Sequence, residues 1–147
     1  MTSLPHASGF RELLVYQKAR ELSITIFRLT ASFPKEEMYS MTDQIRRSSR
    51  SVGANIAEAW AKRRYEKHFI SKLTDADGEQ QETQHWIDTA VDCGYWKSEE
   101  AVRLTQKYEE IGRLLGGMLA KAEMFCQDSS ASTLREPHAE YFIDTDD

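Results

Sequence analysis

The sequence predicts an all-α protein: an antiparallel up-down four-helix bundle with a disordered acidic C-terminal tail. Three observations carry that reading. Apolar residues recur at alternating steps of three and four along four separate stretches, which is the spacing of a helical seam. The 147 residues include only seven glycines and three prolines, which favours long regular elements over turn-rich β structure. No stretch shows the two-residue alternation of a half-buried strand. A chain of this length fits a single domain and buries about 68–70% of its unfolded surface.

The first helix is predicted over about 10–31. Val15, Ala19, Leu22, Ile26, Leu29 and Phe33 form its seam, widened by Leu13 and Leu14. Pro34 ends it and biases Phe33 toward extended backbone. A connector, 34–41, leads to the second helix, with Ser40 and Asp43 spaced as a capping box. The chain is organised around Asp43–Tyr65. There Ile45, Val52, Ile56 and Trp60 recur at helical spacing among small residues such as Ser48, Gly53 and Ala57, and both ends are basic. One unbroken helix from Thr42 to Asp92 would be a rod of about 75 Å. A domain of this size could not bury it, so a break is expected near Arg63–Lys67.

The third helix runs to about Asp92 on a seam of Phe69, Leu73, Ala76, Gln80, Thr83, Ile87 and Ala90. Gln80 and Thr83 lie on that seam and need hydrogen-bond partners across the bundle. Gly94 suits a helix stop. Ser98, Glu99 and Glu100 suit the start of the fourth helix, whose seam is Leu104, Tyr108, Ile111, Leu115, Met118, Ala122 and Phe125. The expected organisation is a lead at 1–9, the bundle at 10–126 and the tail at 127–147. The tail sets six acids against Arg135 alone, so it carries the whole formal charge of −5 and the body is neutral. Its apolar spot, Tyr141, Phe142 and Ile143, is read as solvated, with docking on a partner or on the bundle as the alternative.

No apolar run reaches 18 residues, so no membrane partner is expected. The opening residues lack a signal-peptide core, and two cysteines make no disulfide framework, so a cytoplasmic setting is expected. Cys93 and Cys126 fall at opposite ends of the expected bundle, too far apart to bond.

Arg46, Arg47 and Arg50 form one basic cluster on the second helix; Lys62, Arg63, Arg64 and Lys67, with His68, form another. Such clusters neutralise phosphates and bind nucleic acid without reading sequence. On that reading, reversing Arg46, Arg47 and Arg50 to glutamate abolishes retention without unfolding. The plainer reading is a solvated face paired with acids such as Glu79 and Glu82. Asn55 and Glu58 read as structural polar residues. Asn55 is expected to be a buried amide bonding Gln80 or Glu82 and fixing register. Trp86 and Trp96 are the expected subunit contacts. Glu82-x-x-His85 is half of a di-iron motif, but it falls off the seam and no second copy exists. No metal, no cofactor and no catalytic constellation is therefore expected, and the protein is read as non-enzymatic.

The stretch FPKEEMYSMTDQIRRSSRSVGANIAEAW, with FRELLVYQKA before it and DADGEQQETQHWIDTAVDCGYW after it, resembles a bacterial four-helix-bundle family. That family was first noted as open reading frames inside intervening sequences of 23S ribosomal RNA genes. It is similar in fold to the accessory variability protein of diversity-generating retroelements. The resemblance covers about 10–125. Its most specific piece is Gln44-Ile45-Arg46-Arg47, followed by Ser51 and Asn55-Ile56-Ala57-Glu58. It implies a barrel-like homopentamer without known catalytic activity. For the retroelement branch it implies binding of nucleic acid and of a reverse transcriptase. The expected function is a self-assembling ring that binds RNA, DNA or nucleoprotein through the second helix. The alternative is a scaffold that recruits a protein through its ring surface or acidic tail.

Overall fold

The computed structural model describes residues 9–126 and 139–143. Four long helices, α1 (Leu14–Leu29), α2 (Met41–Ala61), α3 (Glu66–Asp92) and α4 (Ser98–Ala120), are followed by the short α5 (Ala122–Phe125). Each long helix packs against its sequence neighbour, and α4 closes on α1. That is the up-down bundle. The stripes read from the sequence turn inward: Ile26, Ile45, Phe69, Ile87, Tyr108 and Leu115 are among the residues fully removed from solvent. The break between α2 and α3 falls at 62–65, where the Lys62 N–H turns back to the Glu58 and Ala59 carbonyls. Gly94 ends α3 with φ +78, in the left-handed region where a side chain is strained. Its N–H bonds the Val91 carbonyl, and that of Tyr95 bonds Ala90, which closes the helix terminus.

Several local expectations change. Ser40 makes no side-chain cap. Glu37 takes its place: one carboxylate oxygen accepts from the Met41 N–H at 3.2 Å, and the other accepts from the Tyr95 hydroxyl at 2.8 Å. One residue thus ties the start of α2 to the α3–α4 connection. The Glu37 carboxylate pushes the Tyr95 pKa up to about 12. A pKa raised by folding means a contribution complete below the unfolded value of about 10 and lost as pH rises through the folded one. Absorbance titration of tyrosinate should show one tyrosine ionising near 12, moving down in Glu37→Gln.

Thr83 finds its partner across the bundle, with its hydroxyl 2.8 Å from that of Ser48 on α2. Gln80 does not. It donates to Asp77 at 2.9 Å and accepts from Gln84 at 2.7 Å, both on its own helix. Tyr108 is fully buried and its hydroxyl has no hydrogen-bond partner. An unsatisfied buried hydroxyl costs about 1–3 kcal/mol. Tyr108→Phe keeps the packing and is expected to raise stability by about 1 kcal/mol in chemical denaturation.

The tail reading is corrected at its apolar spot. Tyr141 and Phe142 are 6% and 7% exposed, docked on the bundle itself. Phe142 forms an isolated antiparallel bridge with Leu13, and the Ile143 N–H donates to the Glu12 carbonyl at 2.8 Å. The Phe142 ring meets Trp60 edge-on at 6.2 Å, and Tyr141 meets Phe125 edge-on at 5.4 Å. Gly117 permits the approach, since a Cβ there would stand 2.5 Å from the Tyr141 hydroxyl. Lys121, where α4 breaks, pairs with Glu140 at 3.4 Å. The expectations for 1–8, 127–138 and 144–147 lie outside the described residues. Cys93 is exposed, Cys126 is buried, and no disulfide joins them. Among the described residues, no helix is long and apolar enough to cross a membrane.

Candidate nucleic-acid interface

The two basic clusters differ sharply in what already occupies them. Arg46 is half-buried at the α1–α2 seam. Its Nε donates to the Thr30 hydroxyl at 2.8 Å, a terminal nitrogen reaches the Phe27 carbonyl at 3.4 Å, and the guanidinium lies 4.6 Å from the Phe27 ring centroid. Arg50 sits over the same ring at 5.5 Å. Arg47 is exposed and pairs with Asp43 one helical turn back, at 3.7 Å. This cluster holds α1 to α2. Reversing all three charges would therefore damage the fold, because glutamate at 46 loses the Thr30 bond and sets a carboxylate beside a carbonyl.

The second cluster occupies the α2–α3 turn. Lys62, Arg64, Lys67 and His68 are exposed, and none of the four makes an ion pair among the described residues. Arg63 is different. It lies 3.5 Å from the Trp60 ring centroid and its Nε donates to the Trp60 carbonyl at 2.9 Å. Burial lowers its pKa, yet an arginine so far above neutrality stays charged. The N-terminus of α3 adds positive potential at the same place. An open cavity of 470 Å³ is lined by Trp60, Ala61, Lys62, Arg63, Arg64, Tyr65 and His68. Tyr65 is 57% exposed at its rim. Its position off every seam and between cations was the available signal.

Glu58 is exposed and binds Lys72 at 2.8 Å, joining α2 to α3 just before the turn. That bond and the lysine's charge hold the Glu58 carboxyl below its ordinary range, and they take Lys72 out of the cationic surface. The expected pairing with Glu79 and Glu82 is not seen. Glu79 has its pKa raised by burial first, and then by Glu82 and Asp75 beside it. Asn55 is corrected too: it is half-exposed and donates to the Ser51 carbonyl of its own helix at 2.9 Å. One position off the seam, the preceding turn is its nearest acceptor. Glu82 is exposed and accepts from the Trp86 indole at 3.1 Å. Trp86 keeps part of its surface, but Trp96 is 7% exposed and packs on Phe33, leaving little for a subunit contact. Glu82 and His85 face solvent, and the described residues contain no group of three or more metal-binding side chains.

Two further surfaces went unread in the sequence. On α1, Ile24 and Phe27 are 41% and 47% exposed. Beside them a 290 Å³ groove runs over Ser49, Gly53, Ala54 and Ala57, with Arg20 and Arg50 at its edge. On α3–α4 a 590 Å³ groove is lined by Val91, Ala101 and the 53% exposed Val102 among Asp88, Asp92 and Glu109.

The family described as 23S rRNA-intervening sequence protein matches residues 11–117. The chain is similar to a solved protein from Bacteroides thetaiotaomicron VPI-5482, described as of unknown function and from the S23 ribosomal protein family. The two share 30% identity over 73% of this chain and 96% of that one, with a TM-score of 0.66. No curated protein matches the chain.

Proposed function

Because the chain belongs to the 23S rRNA-intervening sequence protein family, we propose that it acts without catalysis, as a self-assembling bundle that binds RNA or DNA through its α2–α3 turn. The observation that carries this is that Lys62, Arg64 and Lys67 are exposed and make no close ion pair among the described residues, Lys62 acting on the Glu58 carboxylate only at longer range. Exposed cations outside close ion pairs exchange counterions for phosphates.

The self-assembly part rests on the two grooves. The α1–α2 face is apolar with arginines at its edge, and the α3–α4 groove is apolar with carboxylates. Different patches that complement each other make a head-to-tail contact, and such contacts give a ring when the rotation between copies closes. The homopentamer is the ring proposed here, and in it five basic turns would act together. A nucleoprotein partner such as a reverse transcriptase and a cytoplasmic setting belong to the same reading. The test has two parts. Mass in solution should be five times the 17.0 kDa of the chain. Wild type should retain RNA or DNA at about 50 mM salt and release it as salt rises; no retention at low salt would remove the nucleic-acid part. The protein-recruiting scaffold then becomes the reading, favoured by Met38 and Tyr39, which are 50% and 91% exposed on the α1–α2 connection.

A further inference from the structure

Going one step beyond the nucleic-acid reading and resting on it, we infer that the ligand of the α2–α3 turn is an unpaired strand, with Tyr65 as the platform for one base. Three large aromatic side chains are substantially exposed among the described residues: Phe27, Tyr39 and Tyr65. Phe27 lies under Arg46 and Arg50. Tyr39 stands away from any basic cluster in the sequence. Tyr65 alone is set beside exposed cations, Arg64 and Lys67, that make no ion pair among the described residues.

The neighbouring aromatic cannot serve. Trp60 is 8% exposed, with Arg63 against its ring and Phe142 at its edge. Among the described rings Tyr65 meets that of His68, tilted at 5.4 Å, and it keeps more than half of its surface. The 470 Å³ cavity beside it falls within the range of small-ligand pockets, with room for a nucleoside. Lys62 and Arg64 line it, and Lys67 is exposed in the first turn of α3, for the flanking phosphates. Aromatic platforms between backbone-tracking cations are how single strands are held without reading sequence. A duplex keeps its base faces stacked inside and offers Tyr65 nothing, so only the cations would act on it.

The test uses the full chain and fluorescence anisotropy with fluorescein-labelled U and dT oligomers of about twelve nucleotides, beside a duplex of the same length. Wild type should bind single strands more tightly than duplex; binding of either sugar supports the inference, and the tighter one names the source. Tyr65→Leu keeps bulk without a stacking face and should weaken single-strand binding by about five-fold or more, leaving duplex binding unchanged. Tyr65→Phe should bind like wild type. Thermal melting of both variants should match wild type, since the ring is mostly in solvent. Equal single-strand affinity in Tyr65→Leu and wild type overturns the inference but leaves the basic turn standing. No binding of any oligomer by wild type overturns both.

Discussion

Replacing Lys62, Arg64 and Lys67 together by glutamate is expected to abolish retention of RNA and DNA at low salt while leaving the bundle folded. Three exposed cations become three anions, so each phosphate contact is lost and a repulsion replaces it. A duplex contact contributes about 0.9 to the salt slope and a single-strand contact about 0.7. Losing three should reduce affinity by more than about 100-fold at about 50 mM salt. Stability should stay within about 0.5 kcal/mol, because among the described residues the three side chains have no hydrogen bond or close ion pair to lose. Arg46→Glu supplies the contrast. It removes the bond to Thr30 and the stacking on Phe27, and should lower stability by about 1–3 kcal/mol. Filter retention and chemical denaturation of both variants separate binding from folding. If the triple reversal binds like wild type, the turn is not the interface.

A chain ending at Cys126 is expected to melt about 5–15 °C below the full chain. The deletion removes Tyr141 and Phe142, both buried, and uncovers Leu13, Trp60 and Phe125. Losing two buried aromatics is expected to outweigh the ordering entropy regained by 139–143, and each kcal/mol of net loss lowers the melting temperature by about 2–4 °C at this length. Gly117→Ala sharpens the test. In the shortened chain, alanine inside α4 should gain stability by roughly 0.8–1 kcal/mol. In the full chain its Cβ meets the Tyr141 hydroxyl, and the gain should vanish or reverse. Identical effects of Gly117→Ala in both chains would mean the segment contributes nothing. The same result bears on the scaffold reading, because removing the acidic tail also disturbs the fold.

The four helices were legible because seam periodicity reports burial directly, residue by residue. The α2–α3 break was legible from length alone; it contains neither glycine nor proline. Partner choice was not legible. Glu37 rather than Ser40 serves the start of α2, and Asn55 turns to Ser51 rather than across the bundle. Both outcomes depend on spatial proximity that spacing in sequence does not encode. Trp96 disappears under Phe33 for the same reason. The tail was judged by its acids, whereas docking depends on a hole at the bundle end that Leu13, Trp60, Gly117 and Phe125 form only after folding. At the candidate site, the cations could be counted in advance, but Arg46 could not be told from Arg64. One is held by Thr30 and Phe27 and the other is in solvent, a distinction of neighbours and not of residue type.

Leu13 and Phe142 close the bundle from far-separated points of the chain, and this bears on its synthesis. Leu13 emerges from the ribosome early, and Phe142 only after every long helix has been made. Until Phe142 docks, the pole formed by Leu13, Trp60 and Phe125 stays uncapped, open to chaperones or to a neighbouring chain. The last contact to form has the largest loop to close. It is also the first expected to open in the finished protein, with amide exchange at Ile143 outpacing that of the helices.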